Sequence, residues 1–530
     1  MVQTIYFNNL AGRHLGLVRI TLILILFAAM AQFASFGLIQ AHVVSFYGAQ
    51  PEDISFALQI AYAGIITTLP VQFRLAKYFN TRSYLLTAFL TGVLINIACL
   101  FIHDLMLFAI LRFFTGVITC IIAGCLLIVI FSTLPETKRM LVGVSLFFSL
   151  ILTCGLLIGI GASWVAVRTN WTEVYYGLIG LQVMAMLFCI IIFRSTPGMK
   201  RYPLYQIDWA GFVLFMFGAV ATLFVMIYGP KRYWLADPLI KYAAVFAVFT
   251  LSLFLYRQST LKRPLIDLSV FKHGKFIIAI SLMLLFWGIK DSINLIYGYA
   301  AGVLGWNAAD VVNAGLYNIA GVIAATFIAV KVIQAKKQNL PKLLLAGFGL
   351  MFCYHLWVYV KLTPDLSFNQ ICIPIFMQGF ACGLLFVPVS VFCMASVPQS
   401  TGMTGIVILT YARFIATLNS IAGLYTLQLR YNQQFKTSFL SKLLPESGIV
   451  SQRMELYKGV LMSKGYTPGE AAGITNMLIA KTVGIQSQLL TIRAIFFIAM
   501  IIVAIVIGFL LCFAVIGRIK EARARTTTVT

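Results

Sequence analysis

The sequence predicts an all-α polytopic membrane protein, and three observations carry that expectation. Of 530 residues, 61% are hydrophobic and only 10% are charged. Apolar runs of about twenty residues recur from Arg19 to Ile516, the length a helix needs to cross a hydrocarbon core of about 30 Å. These runs are continuous rather than alternating, so they do not read as barrel strands; helices satisfy their backbone groups internally. The net charge of +24 gathers in the connections between runs. The positive-inside rule accounts for it better than nucleic-acid binding does.

Taken in order, the runs give fourteen spans at about 19–46, 54–73, 83–103, 106–132, 140–167, 173–193, 209–229, 236–256, 275–302, 309–332, 341–361, 368–396, 402–426 and 491–516. The first is too long for the h-region of a signal peptide and is expected to stay as a span. An even number puts both termini on one side. Connections with Arg74, Lys77 and Arg82, with Lys138 and Arg139, and with Arg194, Lys200 and Arg201 alternate with connections poor in basic residues. The alternation continues through Arg257, Lys262, Arg263 and Lys272, and through Lys331, Lys336, Lys337 and Lys342. These connections, Arg13 and the tail Arg518 to Arg525 are expected in the cytoplasm. The connection 431–490 is long enough that charge counting stops being informative.

Two basic connections, around 194–208 and 257–275, flank a single pair of spans. The expected organisation is an amino-terminal six-helix bundle (1–195), an inserted two-helix region (196–272) and a carboxy-terminal six-helix bundle (273–530) with the outward loop 431–490. Equal six-span halves are the pattern of transporters built from repeats, with the substrate path between halves at mid-membrane. The inserted pair carries inner charges only at its ends and is expected to line no pathway.

Asp291 is the one carboxylate that falls deep inside a span, about 24 Å from Lys275 along the helix. A charge there costs at least about 2.5 to 3.5 kcal/mol and marks a cavity, a partner or a proton path. Its neighbour Lys290 is not expected to neutralise it, because adjacent helical residues point about 100° apart. Arg413, near the middle of the thirteenth span, is expected to pair with Asp291 across a cavity. Arg112 lies about 9 Å inside the fourth span, within snorkelling reach of the interface. Trp287, Asn294 and Tyr297 share polar faces with Lys290 and Asp291, and Tyr62 sits near Gln59 in the second span. They are candidate pocket residues, as are Gln32 in the first span and His355 in the eleventh. His355 also reads as a packed, hydrogen-bonded histidine, and His42 as interfacial. The ten cysteines fall within spans without metal-like spacing and read as small packing residues. In the long connection, Thr467-Pro468-Gly469-Glu470 is a capping box with proline at the first helical position, so a helix begins there.

Several motifs add to this pattern. Gln378-Gly379-Phe380-Ala381-Cys382-Gly383 runs on to Pro388, then Pro398 and Thr401-Gly402-Met403-Thr404-Gly405. Glycines four apart permit close helix approach, and the proline bends the span. Arg112 with Gly116, Ile207-Asp208-Trp209-Ala210-Gly211, Arg263-Pro264-Leu265-Ile266-Asp267-Leu268, Leu304-Gly305-Trp306 and Ala314-Gly315-Leu316 follow in order. Together they resemble the major facilitator superfamily, and within it the fourteen-span drug/proton antiporter branch, over nearly the whole chain. The resemblance implies two six-helix bundles plus the inserted pair, and a role for Arg112 in the cavity between bundles. It implies secondary export of hydrophobic or amphiphilic compounds by alternating access with proton influx, from a cell inner membrane and without cofactor or metal. Small-molecule substrates, protons and the lipid bilayer are its partners. It further implies that 431–490 meets a periplasmic adaptor and an outer-membrane channel; the equal alternative is a lid over the outer vestibule. The chain departs from the branch in three places. The loop after the second span lacks the family's glycine and acidic residue, and the first span lacks a membrane aspartate. The fifth span keeps Gly155, Gly159 and Gly161 but not the proline of the antiporter signature. The alternative is a transporter of an anionic or lipid-like substrate without strict antiport. A membrane enzyme or scaffold would need a second catalytic group, and none is seen.

Overall fold

A computed structural model describes residues 6–8, 13–37, 39–135, 142–194, 204–335, 339–397, 402–443 and 448–527. Lys138, Arg139, Lys200, Arg201, Lys336, Lys337, Pro398 and Thr401 lie outside them. The described residues are helical apart from short connections and an isolated bridge between Phe7 and Phe193. The amino-terminal set comprises α1 (Leu15–Ala34) and α2 (Gln40–Tyr47), which share the first span, then α3 (Pro51–Tyr78), α4 (Thr81–Phe101), α5 (Leu105–Ser132), α6 (Val144–Arg168) and α7 (Val174–Ile192). The inserted pair is α8 (Trp209–Tyr228) and α9 (Pro238–Thr260). The carboxy-terminal set comprises α10 (Gly274–Lys290) and α11 (Ile293–Gly302), which share the ninth span, then α12 (Ala308–Ala335), α13 (Leu340–Lys361), α14 (Phe368–Ala395), α15 (Gly402–Leu440), α16 (Gly448–Ser463) and α17 (Pro468–Thr527). Thirteen helices among the described residues are long and apolar enough to cross a membrane. The apolar helix α6 occupies the place expected for the fifth span.

Successive spans run in opposite directions, so their ends define two faces. One carries the basic connections; the other carries the segment between α15 and α17. They are called here the basic face and the hairpin face. Carboxylates away from mid-membrane serve largely as helix caps. Asp104, Asp208 and Asp237 accept bonds from backbone N–H groups at the starts of α5, α8 and α9. Asp53 and Glu470 complete capping boxes at α3 and α17. Each satisfies N–H groups that a helix start leaves without intrahelical partners.

The closest helix crossings are set by glycine. A methyl group on Gly116 of α5 would overlap the Ala61 carbonyl of α3, and one on Gly64 would overlap Phe113. The same device recurs between α12 and α14, where Gly379 faces the Asn318 carbonyl and Gly321 faces Phe376 and Phe380. Gly383, four residues on, packs on Val322 and Ala325. Spans two and four therefore cross as spans ten and twelve do, an offset of eight positions that steps over the inserted pair. Pro388 lies inside α14, which is buried around it. Gly155 and Gly159 lie along α6; Gly159 is buried and Gly155 comes against Ala34.

Three spans differ from their expected form. The first and ninth are each split by a short non-helical break. The helix expected from Thr467 does begin at Pro468, but it runs without interruption into the last span as the 60-residue α17. At 1.5 Å per residue that is roughly 90 Å, far more than a bilayer needs, so α15, α16 and α17 form a helical projection beyond the hairpin face.

A mid-membrane cavity as the candidate functional site

The ninth span stops at Lys290 and resumes at Ile293. Asp291 has left helical geometry, with φ −80° and ψ 4°. No glycine or proline forces the break; neighbouring side chains hold it open. Gln378 Nε2 of α14 donates to the Lys290 carbonyl at 2.7 Å, and Asn318 of α12 orients Gln378 by donating to its Oε1 at 2.6 Å. Gln378 thus satisfies a carbonyl at a helix end. On the far side, Ser292 Oγ lies 3.3 Å from His355 Nε2, while His355 Nδ1 lies 2.7 Å from the Met351 carbonyl. The bond to a carbonyl requires hydrogen on Nδ1, so in the neutral imidazole Nε2 accepts from Ser292. His355 is fully buried, and it packs behind the site instead of lining it.

The break overturns the expectation for the two charges. Lys290 Nζ and Asp291 Oδ1 form an ion pair. The 100° rule does not apply, because it holds only while the helix continues. Arg413 accordingly does not pair with Asp291. Its guanidinium carbon lies 4.2 Å from the Trp287 ring centre and 5.7 Å from that of Tyr62, and its buried Nε has no hydrogen-bond partner. Lys290 Nζ sits 4.8 Å from the same Trp287 ring. One indole therefore carries two cations, each within the range of a cation–π contact.

These groups line neighbouring spaces between the two helix sets, which share bounding residues. A cavity of about 260 Å³ is bounded by Phe33, Gly155, Trp287, Lys290, Asp291, Asn294, Tyr297, Asn318, Gln378 and Arg413. Asp291 and Asn294 also bound a second cavity of about 380 Å³ that extends towards the hairpin face past Ser420 and Tyr425 to Glu52 and Lys231. Arg413 and Phe33 also bound a third, apolar space of about 90 Å³, with Tyr62, Leu69, Phe73, Phe147 and Ile406, towards the basic face. At its hairpin-face end the inserted region contributes Ile227 and Lys231 to the second cavity. It does so because α8 packs on both α3 and α15, which flank that mouth.

The model of the Major Facilitator Superfamily matches residues 21–421. The chain belongs to that superfamily. It is similar to the multidrug export protein EmrB of Escherichia coli strain K12, with 24% identity over 46% of this chain and 47% of that protein. It thus spans about half the length of that relative. It is also similar to the fatty acid resistance protein FarB of Neisseria gonorrhoeae, with 21% identity over 66% of this chain and 67% of the other. Among solved structures, a POT family transporter in complex with 5-aminolevulinic acid aligns with a TM-score of 0.56 at 13% identity, covering 79% of this chain and 91% of that one. A bacterial homolog of the lysosomal transporter Spinster aligns at 0.50 and 12%, covering 94% and 96%. These two share its fold.

The remaining candidates lie elsewhere in this major facilitator protein. Arg112 is buried and bounds none of the three cavities. It donates to the carbonyls of Gln32 and Phe33 at 2.8 and 3.2 Å, with Phe36 4.6 Å from its guanidinium carbon. Those are last-turn carbonyls of α1, so Arg112 caps the helix end where the first span breaks. The Gln32 side chain turns away from the cavities, towards Gly92 of α4 and Gln182 of α7. Gln59 is part-buried outside them. Tyr62 bounds the apolar space, edge-on to Phe33 and Phe414 at 5.7 and 5.2 Å. His42 is exposed in α2. Asn318, Gln378 and Ser292, which shape the break, were missed as site residues. Only Gln378, at the head of the twelfth-span motif, gave a signal.

Proposed function

We propose that this protein is a secondary exporter of hydrophobic or amphiphilic small molecules, working by alternating access and driven by proton influx through Asp291. The observation that carries this reading is the position of Asp291, a mid-span carboxylate shared by two cavities between the helix sets, with a cation as its partner. A carboxylate that exchanges a proton at such a point, and competes with substrate for the same cavity, links the two movements. The basic face is then cytoplasmic with both termini, in a cell inner membrane, and the projection beyond the hairpin face meets a periplasmic adaptor leading to an outer-membrane channel. Exposed Ile449, Leu456 and Val460 on α16 and Met477 on α17 give that projection apolar contact surface. Efflux of a panel of amphiphiles from cells, with and without a proton uncoupler, tests the reading. Uncoupler-sensitive efflux supports it, and uncoupler-resistant efflux defeats it. Deleting residues 445–480 is expected to reduce efflux from cells more than transport in vesicles; equal losses would favour a simple lid.

A second reading rests on Arg413. With Asp291 taken by Lys290, Arg413 is a cation without a carboxylate, placed where the polar cavity meets the apolar one. An amphiphile with an acidic head at Arg413 and its tail among Leu69, Phe73 and Ile406 would satisfy both. Arg413→Ala should then weaken transport of acid-headed amphiphiles and spare cationic ones of equal size; an equal loss for both would reject this choice of head group.

A further inference from the structure

The inserted pair is fastened to one helix at both ends. At the hairpin face, Lys231 Nζ forms an ion pair with Glu52 Oε2 at 2.6 Å, and the Tyr228 hydroxyl donates to Asp53 Oδ1 at 2.7 Å. Phe56, one turn along α3, packs on Phe224 and Tyr228 with ring centres 5.9 and 5.8 Å away. At the basic face, Arg74 donates to the Gln206 carbonyl at 3.3 Å and to the Pro264 carbonyl at 2.8 Å. Those carbonyls belong to the two connections that enter and leave the pair, so one guanidinium fork holds both. Between these ends, Phe215 stacks on Tyr411 of α15 with ring centres 4.7 Å apart. Stacked rings can slide over one another, whereas ion pairs and forked hydrogen bonds hold position.

We propose that α8 and α9 are a brace carried on α3, and that the Lys231–Glu52 bridge is a latch over the hairpin-face mouth of the Asp291 cavity. Both latch residues line that mouth, together with Tyr425 and Gln428 of α15 on its opposite wall. When α3 and α15 move apart or together, the pair travels with α3, and Lys231 is carried across the opening. The latch residue is a cation, so the mouth discriminates by charge as well as by size. The arrangement also gives a purpose to Arg74, near the end of α3. Its guanidinium holds the brace.

The test needs no substrate and no assumption about orientation. Gln428→Cys is introduced with the exposed Cys353 and Cys512 changed to serine. Its reaction with a water-soluble maleimide is timed in nanodiscs, where both faces are open. Glu52→Gln and Lys231→Met should each raise the labelling rate about two- to fivefold, the scale of a partly exposed bridge. The charge swap Glu52→Lys with Lys231→Glu should bring it back. Without any change at the latch, added salt should raise the rate, because the bridge is screened. In hydrogen exchange, Arg74→Ala should loosen 204–208 and 261–267 together. The latch is overturned if single neutralisation leaves the rate unchanged, if the swap fails to restore it, or if salt has no effect. The brace is overturned if Arg74→Ala loosens one connection alone or neither.

Discussion

Lys290 and Asp291 settle each other's charge only because the helix between them ends. Their side chains are 19% and 18% exposed, so neither is fully solvated, and removing one partner leaves the other charged in a poor solvent. Breaking a buried pair costs about 3 to 5 kcal/mol, and a partly wet one correspondingly less. Lys290→Met should therefore lower the thermal stability of the detergent-solubilised protein, and the double change Lys290→Met with Asp291→Asn should recover most of it. If the double variant melts no higher than the single one, the pair is not what sets the stability. Gly116 has no room for a side chain. The carbonyl of Ala61 occupies the space a methyl would need, and backbone cannot step aside as a flexible side chain can. Gly116→Ala should cost about 1 to 3 kcal/mol through overpacking, seen as a drop in melting temperature and yield. Gly177, whose added methyl would meet nothing, should tolerate the same substitution.

At the scale of helices, the start of α8 is a lock assembled from two motifs far apart in sequence. Asp208 accepts from the Gly211 N–H at 3.0 Å, Arg257 Nε at 2.7 Å and Gln258 Nε2 at 3.1 Å. Gln258 Oε1 then accepts from the Leu265 and Ile266 N–H groups at 2.6 and 3.3 Å. Position 211 must be glycine, because a methyl there would overlap the Asp208 carboxylate. Burial pushes the Asp208 carboxyl up, but bonds from Gly211, Arg257 and Gln258, with the guanidinium's charge, outweigh it and hold the group below the usual carboxylate range. A lowered folded-state value means that the stabilisation is fully present above the unfolded value of about 3.9 and is lost as pH falls through the folded one. Protection against hydrogen exchange at 204–211 and 261–267, relative to the intrinsic rate at each pH, should thus be unaffected by Asp208 from pH 7 to 5 and fall below about pH 4. Asp208→Asn should flatten that dependence; an unchanged profile would show that another group is responsible. Here the sequence had displayed Ile207 to Gly211 and Arg263 to Leu268 as motifs, but not that they meet. Span positions were legible because each apolar run must satisfy its own backbone. The breaks after Ala34 and after Lys290 were not, because they depend on side chains from distant helices, Arg112 in one case and Gln378 in the other. For the same reason Arg413 was given the wrong partner. A period of 3.6 locates a residue on its own helix but does not say what another helix has already claimed.

Over the whole molecule, the cavities lie in series from the hairpin face, past Asp291, to the apolar space beyond Arg413 and Tyr62. The sides of this series come from both helix sets, α3, α5 and α6 facing α10 and α15. On the proposed reading, a change in how the sets pack opens one end while closing the other, with Asp291, which bounds two of the cavities, as the shared point. On the proposed reading, one proton moving inward through 100 mV supplies about 2.3 kcal/mol, enough to sustain a substrate gradient of about fiftyfold per proton. Asp291→Asn keeps the size of the side chain and most of its hydrogen bonding but cannot release a proton. The variant should reach the membrane and still exchange labelled for unlabelled substrate, because exchange needs only reorientation of the loaded protein. It should not concentrate substrate against a gradient when a proton gradient is imposed on proteoliposomes. Uphill accumulation by Asp291→Asn at the wild-type rate would remove this carboxylate from coupling. Loss of exchange together with accumulation would instead mean that Asp291 binds substrate directly, with the proton taken up elsewhere.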